Sequence, residues 1–373
     1  MTGAMSRGAK VKRRAGLLGA VIGVVAAGVA AGVATERALV RRTRQGSEDP
    51  YGDERFGELP YDETCVVTAP DGTDLYVEIV EPADGLELDA DFAARVVGPP
   101  PLEPTVVFVH GFCLDMGTFH FQRKELTRRG DYRMVFYDQP GHGRSGKLES
   151  GDYELVALGA ALRAVIDSTI PEGPIVLMGH SMGGMTIMAF AELYPELFGD
   201  RVSGVVLMAT SGGRMEEAKL GLVPLAARVG TPLLPLVNSR TGGVIDRARQ
   251  ASSDLAWLLT RRYGFGDSRP SPALVSYVEE MNSRTTAETV ARYLRTLYSH
   301  ARYPALAALR ETPTLVIVGD KDMITPLTHS EEIMRHLPEA EFITVPDSGH
   351  VVMLEHADEV NAALDEFLGK IGR

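Results

Sequence analysis

Ile175-Val176-Leu177-Met178, then Gly179-His180-Ser181-Met182-Gly183, then Gly184-Met185-Thr186-Ile187-Met188-Ala189-Phe190-Ala191-Glu192-Leu193, is the stretch from which the fold of this chain is read. An apolar run of strand length, one sharp turn and a helical pattern make a nucleophile elbow, whose turn residue holds a strained backbone conformation costing about 1–3 kcal/mol. Such a turn is tolerated where the residues two before and two after the serine carry no side chain, and Gly179 and Gly183 meet that need. Ser181 is thereby lifted above the edge of a sheet, its hydroxyl open to a base and the amide of Met182 open to an anion. The five-residue pattern alone is weak evidence, so the reading rests on what surrounds it.

Apolar runs of strand length recur at 105–109, 134–137, 175–178, 205–208, 314–318 and 342–345, with amphipathic stretches near 117–129, 152–168, 182–194, 327–337 and 356–369. Strands without polar alternation are buried on both faces, so the pattern predicts an α/β fold, a mostly parallel doubly wound sheet with helices on each side. Ahead of it, Cys65–Ala69 and Leu75–Val80 flank Asp71-Gly72, a hairpin signal. The alternation breaks once: between Ser211 and Arg310 there are helical patterns, as at 253–262 and 288–298, but no convincing strand. A helical insertion there, above the carboxyl ends of the strands, would cap the elbow.

An elbow serine needs a base, an acid to orient the base, and donors for an oxyanion. Two later strands deliver the first two to the same sheet edge: Val316-Ile317-Val318-Gly319-Asp320-Lys321-Asp322 and, after 342–345, Pro346-Asp347-Ser348-Gly349-His350. By position alone either Asp320 or Asp322 would serve as the acid. Gly141–Leu148 also matches G-x-x-x-x-G-K, but Leu148 stands where a phosphate loop needs Ser or Thr, which argues against nucleotide binding. His120, His142, His300, His329, His336 and His356 have no metal-ligand spacing, so no metal is expected.

Taken together, His110-Gly111-Phe112, Asp138-Gln139-Pro140-Gly141-His142-Gly143-Arg144-Ser145, the elbow, Gly319 to Pro326 and Gly349-His350 appear in an order that resembles the α/β-hydrolase fold family. The likeness, over about 62–373, is to its serine-nucleophile esterase, lipase and cofactor-free haloperoxidase members that carry a helical cap. The resemblance implies Ser181 as nucleophile, His350 as base, Asp322 as orienting acid by its G-x-x-D-x-x-x-P spacing, and the amides of Phe112 and Met182 as oxyanion hole. It implies no cofactor, and hydrolysis of carboxylic esters through an acyl-enzyme. The same triad serves perhydrolysis, acyl transfer or other acyl-bond cleavage. A ligand-binding protein on this fold that turns nothing over is the reading from a different class. His110 is expected to fix the oxyanion loop, and the His180 side chain to point away from the turn.

Charge is split along the chain. Residues 1–44 hold nine Lys or Arg and one Glu, a net of +8, so the whole-chain net of −12 leaves −20 for the rest. That acidic body argues against a nucleic-acid partner. Ala15 to Ala34 is a run of 20 uncharged residues between basic flanks, about 30 Å as a helix, and reads as a membrane anchor, with a cleaved signal peptide and a soluble Ala/Gly-rich helix as its rivals. The expected layout is a transmembrane anchor in 1–44, a linker in 45–61, a core in 62–211 and 311–373, and a cap in 212–310. The cap's apolar stretches Leu220–Leu225 and Thr231–Val237 are expected to favour acyl chains. Two cysteines, Cys65 and Cys113, make no disulfide framework.

Overall fold

A computed structural model describes residues 49–83, 103–151, 153–215 and 256–371. The candidate anchor, residues 84–102 and the two apolar stretches at 220–225 and 231–237 lie outside the described residues. Among the described residues no helix is long and apolar enough to cross a membrane.

The hairpin forms as β1 (Glu63–Thr68) and β2 (Asp74–Val80), antiparallel to each other. Then follow β3 (Thr105–Val109), α1 (His120–Arg129), β4 (Met134–Tyr137), α2 (Leu155–Thr169), β5 (Ile175–His180), α3 (Met182–Leu193) and β6 (Val202–Met208). After the insertion helices α4 (Pro272–Arg284) and α5 (Ala287–Ser299) come β7 (Thr314–Gly319), α6 (Leu327–His336), β8 (Glu341–Val345), α7 (Val352–Glu355) and α8 (Ala357–Ile371). The eight strands form one sheet in the order β1-β2-β4-β3-β5-β6-β7-β8, parallel from β4 through β8.

Period-two alternation explains why the central strands read as unbroken apolar runs. Val106, Phe108, Phe136, Val176 and Met178 face a layer completed by Phe121 of α1 and Val360, Leu364 and Phe367 of α8. Val107, Val109, Val135, Ile175 and Leu177 face Leu162 and Val165 of α2, Ile187 and Met188 of α3, and Ile333 of α6. Each fully buried large aliphatic or aromatic side chain in these layers contributes about 1.5–3 kcal/mol. The outermost strands β1 and β8 alternate exposed with half-buried or buried residues, because each has solvent on one side.

Within 212–310 the described residues are helical at 256–264, in α4 (Pro272–Arg284) and in α5 (Ala287–Ser299), followed by a 3-10 turn at Tyr303–Leu309. Local chemistry sets these helices: Pro272 opens α4 with Ser271 capping Leu274, and Thr286 caps α5 through Thr289. They rest on loops at the carboxyl ends of β3 and β4, where the Tyr277 hydroxyl donates to the Gly117 carbonyl at 2.9 Å and the Tyr293 hydroxyl to that of Pro140 at 3.0 Å.

Residues 49–61, expected to be a linker, are instead packed on the body. Asp49 accepts from Ser271 and from the Ala273 amide, Glu54 pairs with His120 and Lys124, and the Tyr51 and Phe56 rings sit against Phe121. The physical reason is that two aromatic rings and two carboxylates in this polar stretch match partners on α1 and α4.

Candidate active site

β5 ends at His180, α3 begins at Met182, and Ser181 between them holds φ +52° and ψ −117°, a left-handed conformation that a side chain disfavours. Main-chain and hydroxyl bonds fix it there: the Ser181 amide donates to Met208, and its carbonyl accepts from Thr210 Oγ1 and the Gly184 amide. A side chain at Gly183 would overlap the Val109 carbonyl, so its absence lets α3 start directly against β3. Met182 is the first residue of α3, and its amide has no acceptor one turn back.

Ser181 Oγ lies 2.9 Å from His350 Nε2, and His350 Nδ1 lies 2.9 Å from Asp322 Oδ2, with all three residues buried. Asp322 is fully used as an acceptor: Oδ1 takes the amides of Ile324 and Thr325 at 2.8 and 2.9 Å, and Oδ2 also takes Thr325 Oγ1 at 2.8 Å. A carboxylate so held leaves Oδ2 aimed at His350 and favours the proton on Nδ1, which frees Nε2 to accept from Ser181. Asp320, the other carboxylate on this strand end, is exposed, and no hydrogen bond links it to His350 among the described residues.

The Phe112 loop is built from its buried neighbours. His110 Nδ1 donates to the Gly111 carbonyl, its Nε2 accepts from the Gln139 amide at 2.8 Å, and the Gln139 side chain returns a bond to the His110 carbonyl. Burial pushes the His110 imidazole down to about 4 and that of His142 to about 3, so both are neutral near pH 7. Half-buried Cys113 turns the chain with φ +59°, and burial pushes its thiol up to about 12, which argues against a thiolate there. Beyond it Asp138 accepts from Met116 and Arg144 amides at 2.9 and 2.8 Å; burial, with Asp115 adding to it, raises its carboxyl to about 7.

Three contributors were not legible in the sequence. His180 does not point away from the site: its Nε2 donates to the His350 carbonyl at 2.9 Å, and its ring fills the space that a side chain at Gly111 would need. Thr325 touches both Asp322 and, at 3.3 Å, His350 Nδ1. Glu355 accepts from the Gly349, Gly266 and Asp267 amides and so pins the loop that carries His350. The only available signals were a polar residue next to the serine and polar residues flanking the acid and the base.

Five amides of the G-x-x-x-x-G-K stretch are spent on the protein itself, which argues against a phosphate cradle. Those of Gly141, His142, Arg144, Ser145 and Gly146 donate to Gly146, Gln139, Asp138, His142 and Asp74. Among the described residues no group of three His, Cys, Asp or Glu side chains is placed to hold a metal. Cys65 and Cys113 are both free thiols.

The α/β hydrolase fold model matches residues 104–357. The chain is 31% identical over 274 residues to a dihydrolipoyllysine-residue acetyltransferase component of an acetoin cleaving system from Pseudomonas putida, with 71% of this chain covered. It spans only 63% of that relative's length. To an sn-1-specific diacylglycerol lipase of Mus musculus it is 25% identical over 268 residues, 71% of this chain and 81% of the lipase. Among solved structures, a thermophilic esterase from Thermogutta terrifontis superposes with a TM-score of 0.62 at 24% identity, covering 84% of this chain and all of the esterase. A bromoperoxidase from Bacillus anthracis gives 0.60 at 18% identity over 82% of this chain. Fold, strand order and family match agree, and the chain belongs to the α/β-hydrolase fold family.

Proposed function

We propose that the protein is a carboxylic ester hydrolase that works through an acyl-enzyme on Ser181. The observation that carries the reading is the run of two 2.9 Å contacts from Ser181 Oγ through His350 to Asp322, set on a left-handed elbow. His350 Nε2 takes the Ser181 proton as Oγ attacks the ester carbonyl, and Asp322 holds the imidazole tautomer and stabilises the imidazolium. The amides of Phe112 and Met182 stabilise the tetrahedral oxyanion, each worth about 2.7–4 kcal/mol by the general rule for such donors. The imidazolium returns its proton to the leaving alkoxide, and water then resolves the acyl-enzyme by the same route in reverse.

For the substrate we propose an uncharged ester with an apolar acyl chain. Support comes from the flank of the elbow helix, where Met182, Met185, Met215, Tyr293 and Leu297 form an apolar cluster with Phe112 packed against it. Thioether and aromatic surfaces adapt to flexible chains, and each buried methylene adds about 0.8 kcal/mol. The diacylglycerol lipase among the relatives is compatible with such a substrate. The uncharged run 15–34 supports attachment of the protein to a membrane, tested by resistance of the full chain to carbonate extraction. The functional test is a series of p-nitrophenyl esters from acetate to palmitate with wild type, Ser181→Ala and His350→Ala. Turnover that rises from acetate towards hexanoate or octanoate and nearly vanishes in both variants is expected. Equal activity in Ser181→Ala would remove the mechanism.

A further inference from the structure

Residues 49–61 precede the sheet and lie outside the family match at 104–357, yet they join two elements that flank the candidate site. One end holds α4: Asp49 accepts from Ser271 Oγ at 2.6 Å and from the Ala273 amide at 2.8 Å, in the first turn of the helix. The middle holds α1, where Glu54 pairs with His120 at 2.9 Å and Lys124 at 2.7 Å, and the Pro60 carbonyl accepts from Arg123. Between these, Phe56 stacks on Tyr277 of α4 with ring centroids 4.5 Å apart and also borders His120 and Phe121.

Tyr277 carries the contact further. Its hydroxyl donates to the Gly117 carbonyl at 2.9 Å, and a side chain at Gly117 would overlap that hydroxyl. Gly117 belongs to the 3-10 turn Met116–Phe119, which directly follows the Phe112 loop. Arg284, at the far end of α4, adds an ion pair to Asp115 at 2.9 Å. Few soft torsions separate this turn from Phe112: Cys113 is fixed at φ +59°, and the Leu114 amide closes back on the Gly111 carbonyl at 3.3 Å. Phe119, at the far end of the turn, is buried in the core, while Asp115, Met116 and Gly117, with residues 56–59, line a cavity of about 490 Å³. On that side its place is set by discrete contacts, of which Tyr277 and Arg284 come from α4.

We propose that residues 49–61 form a brace for the oxyanion loop, with Phe56 and Tyr277 as positioning residues that set where the Phe112 amide stands. The proposal rests on the ester-hydrolase reading above. An oxyanion donor works only within a few tenths of an ångström of the developing charge, and a displacement of about 1 Å costs on the order of 10²-fold in rate. The brace acts on the transition state and not on ground-state binding, so its loss lowers kcat and leaves KM nearly unchanged.

The test uses full-length protein carrying Phe56→Ala, Phe56→Tyr, Tyr277→Phe or the Phe56→Ala/Tyr277→Phe pair, with p-nitrophenyl butyrate and the corresponding thionoester as substrates. A thionoester develops charge on sulfur, which a hole shaped for oxygen serves poorly, so the oxyester-to-thionoester rate ratio reports on the hole itself. Tyr277→Phe and Phe56→Ala are expected to lower kcat about tenfold with KM within about twofold. Both should shrink the ratio, the double variant should be little worse than the weaker single, and Phe56→Tyr should retain wild-type values. Unchanged kcat and ratio in Tyr277→Phe would overturn the brace, as would a loss of kcat with the ratio intact. Should Phe56→Ala not fold, Tyr277→Phe, which removes one oxygen, decides. A wild-type enzyme that turns over no ester, or a Ser181→Ala variant that still does, removes the hydrolase reading and the brace with it. An active, Ser181-dependent enzyme with an indifferent Tyr277→Phe removes the brace alone.

Discussion

Asp322→Asn isolates the tautomeric part of the proposed mechanism. In the native site Oδ1 accepts two main-chain amides, at 2.8 and 2.9 Å, while Oδ2 accepts Thr325 Oγ1 at 2.8 Å and His350 Nδ1 at 2.9 Å. An asparagine offers one acceptor end and one donor end. Turning the donor end towards the two amides would set N–H groups against each other, so the carboxamide oxygen takes the Oδ1 place and the NH₂ takes the Oδ2 place. That NH₂ donates to His350 Nδ1 and moves the imidazole proton to Nε2, leaving no lone pair for the Ser181 hydroxyl. The side-chain volume hardly changes, so the fold persists. In the serine-protease template the equivalent change costs about 10⁴ in kcat, or about 5.5 kcal/mol. Here Thr325 Oγ1, 3.3 Å from Nδ1, offers a second acceptor for the correct tautomer. A fall of about 10³–10⁴ in kcat for p-nitrophenyl butyrate is therefore expected at an unchanged melting temperature. Asp320→Asn, at an exposed position, should stay within about twofold of wild type. An Asp322→Asn enzyme that keeps more than about a tenth of wild-type kcat would refute the tautomer argument. A larger loss in Asp320→Asn would move the orienting carboxylate to that residue.

Stability should begin to fall with acid at a pH above the ordinary carboxylate range. Burial depresses His110, His142 and His300 to about 4, 3 and 4, so the unfolded chain binds their protons first as pH falls. Their stability is fully present above about pH 6.5 and is lost as pH falls from there to about 4 for His110 and His300 and about 3 for His142, on the order of 3 kcal/mol for His300 alone. Asp138, raised to about 7, works in the opposite sense and recovers part of that loss. Urea midpoints should fall from pH 7 to pH 4.5, with His300→Leu flattening the slope; a flat wild-type profile would contradict this. His180→Phe keeps a ring but strips the His350 carbonyl of its donor, a buried loss of about 1–3 kcal/mol. Its kcat should fall with KM little changed, and an unaltered kcat would reduce His180 to packing. Gly183→Ala must push α3 away from the Val109 carbonyl, lowering both the melting temperature and the rate at which a fluorophosphonate labels Ser181. Wild-type values for both would show that the elbow has slack.

The sheet was legible because its central strands are buried on both faces, so 105–109, 134–137, 175–178 and 314–318 read as uninterrupted apolar runs. The edge strand β8 was legible from position, since it leads directly to Gly349-His350. Motif order points to Ser181, His350 and Asp322, and the structure brings their side chains together. What escaped has no local period. Asp49, Tyr51, Glu54 and Phe56 stand singly in a polar stretch, and their partners Ala273, Phe121, Lys124 and Tyr277 are remote in sequence. The bond from His180 to the His350 carbonyl spans 170 positions, and no spacing rule reaches that far.

The central claim, an acyl-enzyme on Ser181, is tested most directly by mass spectrometry of protein quenched during p-nitrophenyl butyrate turnover. The account predicts a burst approaching one nitrophenolate per active site where deacylation is the slower step. It also predicts a butyryl group on the peptide containing Gly179-His180-Ser181-Met182-Gly183, absent in Ser181→Ala and persisting after the substrate is removed from His350→Ala that has been slowly acylated. Turnover by Ser181→Ala at the wild-type rate, or a butyryl group trapped on a different residue, would contradict it.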